Sequence, residues 1–214
     1  HGVDSDFVKV RVRGIFPSQS FKQFISTADA DAAYGRDITE DQFDFAPKII
    51  ACDPAWEGDD ELTIGMRQGN FYEILEVIEK NDNDVEVAAL LMRLEDEHNA
   101  DAVFIDAGYG TGIFSVGKAA KRDWKLVWFG GKAMDKGYLN KRSEMWGSIK
   151  TWLKEGGSLP EDPILHQELI GPEIIPRGDG RIQLESKKDM KSRGIPSPNR
   201  ADNLGLTFAY PVTK

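Results

Sequence analysis

Ile49-Ile50-Ala51-Cys52-Asp53 and Val103-Phe104-Ile105-Asp106 are two uninterrupted apolar runs that each end on an aspartate. Runs of this length between turn-forming residues read as strands, with Pro47 introducing the first. A carboxylate at the end of a buried strand is held by rigid backbone yet points out of the core. Several such groups can converge on a hard cation that prefers oxygen ligands. A third aspartate, Asp202, opens an apolar helix near the C-terminus. Each of the three also has a plain explanation, because strands commonly run out into Asp at a turn; their placement relative to one another has to decide.

Working outward, Leu62 to Arg67 and Phe71 to Val77 are strand-like and flank Gln68-Gly69-Asn70, a hairpin turn signal. Val85, Ala88, Ala89, Leu91, Met92 and Leu94 recur at helical spacing, so 84–99 is expected to be a helix with Asp84 as its N-cap. Residues 102–106 form the next strand, 113–122 a helix, 125–129 a strand, and 141–155 a long helix closed by Gly156-Gly157. Short helices are expected over 28–34, 164–169 and 187–193, and a peripheral strand over Phe7 to Phe16. Ile174-Ile175 and Arg181 to Glu185 flank a second turn, and a last helix starts at Ser197-Pro198 and carries Asp202.

Three strands joined by tight turns, then alternating helix and strand, imply a mixed sheet covered by helices. If the strands ending in Asp53 and Asp106 are parallel neighbours, both carboxylates emerge at one sheet edge, where open α/β folds place their sites. That is the layout of a ribonuclease H-like fold: three antiparallel strands, then parallel ones, with an added C-terminal hairpin. Asp202 can reach the same point from the last helix, whose N-terminal end favours its ionised form.

The chain has 214 residues and 40% hydrophobic content, enough for one substantial core. It holds no apolar run of membrane-spanning length and no signal-peptide pattern at its start, and its initial His suggests a tag scar or an excised fragment. Cys52 is the single cysteine, which excludes an internal disulfide and a cysteine zinc cluster; a buried strand residue is the expected role. The net charge of -9 argues against a polyanionic partner, but its distribution does not. Residues 29–101 carry 21 acids against 5 bases, whereas residues 102–214 carry 18 bases against 13 acids. Lys118 to Arg142 and Arg181 to Arg200 hold most of the excess, as phosphate-facing stretches or as solvated helix faces.

Three competing motifs need weighing. Gly112 to Ala119 matches a phosphate-binding P-loop except that Ala119 stands where Ser or Thr would hold Mg²⁺, and the match falls on expected helix rather than on a turn. Asp106-Ala107-Gly108-Tyr109-Gly110-Thr111-Gly112 resembles the glycine-rich turn of S-adenosylmethionine-dependent methyltransferases. In those enzymes an acid usually ends the next strand, and here that strand ends in Val127-Trp128-Phe129-Gly130-Gly131. Glu185-Ser186-Lys187 fits the E-x-K half of a PD-(D/E)-x-K nuclease pattern, without a Pro-Asp partner on a preceding strand.

Gly2 to Pro17, Ile50-Ala51-Cys52-Asp53-Pro54-Ala55, Val103 to Gly112, Asn140-Lys141-Arg142-Ser143-Glu144-Met145-Trp146 and Ser197-Pro198-Asn199-Arg200-Ala201-Asp202-Asn203-Leu204 resemble, in order, successive signatures of the large terminase subunit of tailed bacteriophages and prophages. In that family a packaging ATPase precedes a ribonuclease H-like nuclease, and this chain resembles the nuclease, with residues 1–46 as the linker tail and 47–214 as the domain. The resemblance implies metal-binding, catalytic acids at Asp53, Asp106 and Asp202, holding two Mg²⁺ or Mn²⁺ ions that activate water to cut concatemeric viral DNA as packaging starts and ends. It implies double-stranded DNA, the ATPase domain, a small terminase subunit and the portal protein as partners, and the host cytoplasm as location.

Lys132, Lys136, Lys141, Arg142, Lys187, Lys188 and Arg200 are the candidate DNA contacts. Glu57, Asp59 and Asp60 lie just beyond Asp53 and can assist or form a solvated loop. His98 and His166 have no partner at ligand spacing. The tryptophans, Trp124, Trp128, Trp146 and Trp152 among them, are expected in the core rather than against bases.

Overall fold

The structure is a computed structural model that describes residues 22–55, 60–79 and 81–214. The strand expected over Phe7 to Phe16, and Glu57 and Asp59, lie outside these residues. Its main sheet has five strands: β1 (Lys48–Asp53), β2 (Leu62–Gln68), β3 (Phe71–Ile78), β4 (Ala102–Asp106) and β5 (Lys125–Val127), in spatial order β3-β2-β1-β4-β5. β1 pairs antiparallel with β2 and β2 with β3, while β1, β4 and β5 run parallel, as expected for the ribonuclease H-like arrangement. A separate two-stranded hairpin, β6 (Ile174–Ile175) and β7 (Gln183–Leu184), is the expected C-terminal addition.

The helices are α1 (Thr27–Ala33), α2 (Asp84–His98), α3 (Thr111–Ala119), α4 (Lys141–Lys154), α5 (Pro163–Ile170), α6 (Lys187–Ser192) and α7 (Asn199–Leu206). α2 is capped by Asn83, whose side chain accepts from the amides of Val85 and Glu86, and not by Asp84. An Asn one residue earlier satisfies the same orphan donors and leaves Asp84 in the first turn. α2 ends on Asn99 in the left-handed region, φ 50°. β5 stops at Val127, two residues short of the expected end, because the chain then turns to bond the start of α4: Arg142 N donates to Phe129 O at 3.0 Å and Lys141 N to Gly131 O at 2.8 Å.

Period-two alternation divides the strands between two cores. Ile50, Cys52, Val103 and Ile105 pack with Leu91, Ile113 and Trp124 under α2 and α3. Ile49, Ala51, Phe104 and Val127 face Met145 of α4 and Leu206 of α7. A third cluster joins Phe24, Ile25 and Ala33 to Trp146, Trp152, Leu165 and Leu204, so part of the segment before residue 47 packs into the same body. Among the described residues no helix is long and apolar enough to cross a membrane.

Candidate metal centre

The same alternation decides where the two strand-end carboxylates go. Asp53 shares its parity with Ile49 and Ala51, and Asp106 shares its parity with Phe104, so both belong to the face covered by α4 and α7. Cys52 is the register partner of Ile105, which makes Asp53 and Asp106 the next positions along two adjacent parallel strands. They stand side by side at the carboxyl edge of the sheet. Asp53 is buried and Asp106 half-buried.

α7 brings the third carboxylate, and its approach is fixed by polar groups. Asn203 Nδ2 donates to Ala51 O at 2.9 Å and to Thr63 O at 2.7 Å, and the Tyr72 hydroxyl donates to Asn203 Oδ1 at 2.9 Å. The helix carrying Asp202 is thus stitched to the strand carrying Asp53. A Cβ on Gly65 would meet the Tyr72 hydroxyl and Asn203 Oδ1, so only glycine leaves room for this junction. Pro198, at the N-cap, offers no side-chain acceptor; Glu168 of α5 supplies one instead, accepting from Ala201 N at 2.9 Å.

Asp202 is almost fully enclosed, 1% exposed. Its Oδ1 accepts from Arg142 Nε at 2.9 Å and Trp146 Nε1 at 2.8 Å, and its Oδ2 has Lys187 Nζ at 3.1 Å. Lys187 is delivered by the hairpin: Leu184 N donates to Ser143 Oγ at 3.0 Å and Arg142 Nη1 to Glu185 O at 2.9 Å, which docks β7 and the start of α6 on α4.

The three acids have different electrostatics. Burial drives the Asp53 carboxyl well above its ordinary range, opposed by Lys187 and reinforced by Asp106 and Asp202. Burial also raises Asp106, to about 6, against the Gly108 amide and Lys187, which favour its charge. For Asp202 burial is outweighed by Arg142 and Lys187, and its carboxyl stays below the usual range. Burial disfavours the Lys187 ammonium, yet Asp202 and Asp53 hold it charged and raise it.

Asp53 Oδ2 is buried without a hydrogen-bond donor, and Asp202 Oδ2 has only the Lys187 ammonium at 3.1 Å. Acceptor-only oxygens left in this state suit a hard cation, so the donor set fits Mg²⁺ or Mn²⁺. Among the described residues, however, no three Asp, Glu, His or Cys side chains converge as a ready cation site. Lys187 supplies positive charge to all three acids, and Arg142 adds its own on Asp202.

The other candidates fall into two groups. Lys132, Lys136 and Lys188 are exposed. Lys141 is 4% exposed and binds Glu144 at 2.7 Å, and Arg200 is held by Glu61 at 3.0 Å and Asp162 at 2.6 Å. With Arg142 on Asp202, each of these three is paired with an acid of this chain. Asp60 lies 4.0 Å from Lys191 and adds to the negative field on Asp53.

Glu185 receives Arg193 on both oxygens, each at 2.7 Å, so its carboxylate is occupied even though Lys187 beside it reaches the acids. The glycine-rich turn serves Asp106 itself: Gly110 N donates to Asp106 O at 3.0 Å and the Gly108 amide to its carboxylate. His166 binds Asp31 at 2.7 Å, away from the acids. Trp128 departs from expectation: it is 60% exposed, because β5 ends before it.

Sequence reasoning missed Tyr72, Trp146, Glu168 and Asn203. Trp146 and Asn203 fall inside the quoted signatures but without a role, and the partners of Asn203 lie more than 130 residues away in the chain.

No protein-family model and no curated protein matches this chain. Solved structures do. The nuclease domain of the large terminase subunit gp2 of bacterial virus Sf6 superposes with TM-score 0.71 at 20% identity, over 88% of this chain and 99% of that one. A point variant of the same domain with manganese gives 0.68 at 19% identity, again over 88% and 99%. The large terminase nuclease of thermophilic phage G20c with bound magnesium gives 0.63 at 15% identity, over 89% and 98%. This chain has the fold of the nuclease domains of phage large terminase subunits.

Proposed function

We propose that this chain is the nuclease domain of a tailed-phage or prophage large terminase subunit, a metal-dependent endonuclease that cuts concatemeric double-stranded DNA at the start and end of genome packaging. The observation that carries the reading is the pair Asp53 and Asp106 on adjacent parallel strands, facing an Asp202 whose orientation is fixed by Arg142 and Trp146. The likeness to terminase nucleases solved with manganese and magnesium supports it.

Asp53, Asp106 and Asp202 would hold the ions, two being expected. Bound there, divalent ions activate water and neutralise charge on the cleaved phosphate. Asp202 presents Oδ2, since Oδ1 is saturated by Arg142 and Trp146. Lys187 keeps its proton and can donate to a phosphate oxygen at the same place. In the full-length protein a preceding ATPase domain, a small terminase subunit and the portal would supply grip and site choice, in the host cytoplasm. Neither alternative chemistry gains from the geometry: Glu185 is occupied by Arg193, and the glycine turn is spent on Asp106.

The test is conversion of supercoiled plasmid to nicked and linear forms in Mn²⁺ or Mg²⁺. EDTA and each of Asp53→Ala, Asp106→Ala and Asp202→Ala should abolish it while the fold persists by circular dichroism. Wild-type rates in those variants would move the site elsewhere, and calorimetric binding of S-adenosylmethionine would point to methyl transfer.

A further inference from the structure

Between β5 and α4 runs a segment, residues 128–140, that has no regular structure and yet is fixed along its length. Gly131 N donates to Trp128 O at 2.9 Å, Leu139 N to Ile182 O at 2.9 Å, Ile182 N to Gly137 O at 2.7 Å, and Asp135 N to Glu144 Oε1 at 2.6 Å. Its side chains alternate. Trp128, Gly130, Lys132 and Met134 are exposed, whereas Phe129 and Gly131 are half-buried and Ala133 is buried. The alternation ends at Met134, and Asp135, Lys136 and Gly137 are all exposed. Trp128 is 60% and Met134 63% exposed, and Ile182 of the adjoining hairpin is 40% exposed. A hydrogen-bonded segment that holds an indole and a thioether in water gains nothing for its own fold from doing so; such patches mark binding surfaces.

The place of the segment says what it meets. Val127 is the register partner of Asp106, and Ala107 N donates to Val127 O at 2.9 Å, so Trp128 begins where the candidate catalytic strand ends. At its other end the segment leads into α4, which carries Arg142 on Asp202. The hairpin it bonds leads to Lys187. Its charge fits a polyanion: Lys132 and Lys136 are exposed, and the intervening Asp135 spends one oxygen on the Gly137 amide at 2.8 Å.

We infer that residues 128–136 form a docking edge for double-stranded DNA beside the cut phosphate, with Lys132 and Lys136 on backbone phosphates and Trp128 and Met134 against sugars and base edges in a groove. Lysines supply the salt-dependent, sequence-independent part of binding, and apolar side chains at a groove supply shape contact and local unstacking. The identity of the substrate rests on the nuclease reading; the surface itself does not.

Binding can be read without cutting, by fluorescence anisotropy of a labelled duplex of about thirty base pairs in EDTA at low salt. Trp128→Ala should weaken binding about tenfold and Trp128→Phe should restore most of it, as an aromatic contact requires. Joint replacement of Lys132 and Lys136 by Ala should reduce the slope of log K against log salt by about two, one unit for each phosphate that no longer meets a lysine. A parent protein that fails to bind, or Trp128→Ala and the double lysine variant binding as tightly as the parent, overturns the inference. The second pattern is that of a surface built for a protein partner. Absence of plasmid cutting with these binding effects intact would instead count against the nuclease reading alone.

Discussion

Lys187 Nζ lies 3.1 Å from Asp202 Oδ2, and the same ammonium is the main positive charge felt by both Asp53 and Asp106. One lysine thus serves as the internal counter-ion for the acids expected to hold divalent metal. A divalent ion held by these acids would compete with this ammonium for the free oxygen of Asp202.

Lys187→Ala should therefore destabilise the metal-free protein and make it more responsive to metal. Removing one partner of a buried pair costs about 3–5 kcal/mol, and with the Lys187 side chain 36% exposed roughly 2 kcal/mol is expected. Thermal melts with and without Mn²⁺ are the measurement. The rise in Tm on adding Mn²⁺ should be larger in Lys187→Ala than in the parent; an equal or smaller rise would separate the lysine from the metal site.

Asp53→Asn should act oppositely. Asp53 Oδ2 is buried with no donor, so its charge opposes folding in the absence of metal. The isosteric amide should raise the metal-free Tm, by about 1 kcal/mol of stability, while the Mn²⁺-induced shift and DNA cutting disappear. A variant less stable than the parent would show that the carboxylate has a structural partner in solution.

Much of this arrangement is legible in the chain alone, because strand parity is a local property. Five residues ending on Asp53 and four ending on Asp106 set both register and edge once the two strands are parallel neighbours. Asp202 is harder. Its delivery depends on Asn203 reaching Ala51 and Thr63, on Tyr72, and on Glu168 replacing a cap that Pro198 cannot give. None of these has a spacing rule, since each joins positions remote in sequence. Trp128 escapes a local reading for a related reason. An apolar run of Leu126-Val127-Trp128-Phe129 reads as continuous strand, whereas backbone bonds from α4 to Phe129 and Gly131 end the strand early and turn the indole outward.

The metal-free protein should lose stability as pH rises from about 4 to about 8. Unfolded carboxyls titrate near 4, whereas burial raises Asp106 to about 6 and Glu168 to about 8 in the fold. In that window the folded state binds protons that the unfolded state has released, so stability declines with pH and levels off above the folded values. Asp202, held below its usual range, works the other way, and its contribution is lost only in acid. Thermal melts in EDTA should show Tm falling between about pH 5 and 8, and Glu168→Gln should flatten the upper part of the fall. A Tm that climbs through this range would contradict the burial of these two acids.

Asn203→Ala should test whether the stitching of α7 matters to the site or only to the fold. The residue is fully buried, and its loss removes two bonds to strand carbonyls and leaves the Tyr72 hydroxyl without its acceptor. Between the cavity and the unpaired groups the cost should be about 2–4 kcal/mol. Asn203→Asp should be worse, since a carboxylate there would face two carbonyl oxygens at the positions where the amide now donates. The functional consequence is separable from stability by working well below the lowered Tm, where Asn203→Ala is folded. There Mn²⁺ affinity by calorimetry should fall about tenfold and plasmid cutting should fall with it, because the helix carrying Asp202 is no longer tied to the strand carrying Asp53. A folded variant with parental Mn²⁺ affinity would mean that Arg142 and Trp146 alone suffice to aim Asp202.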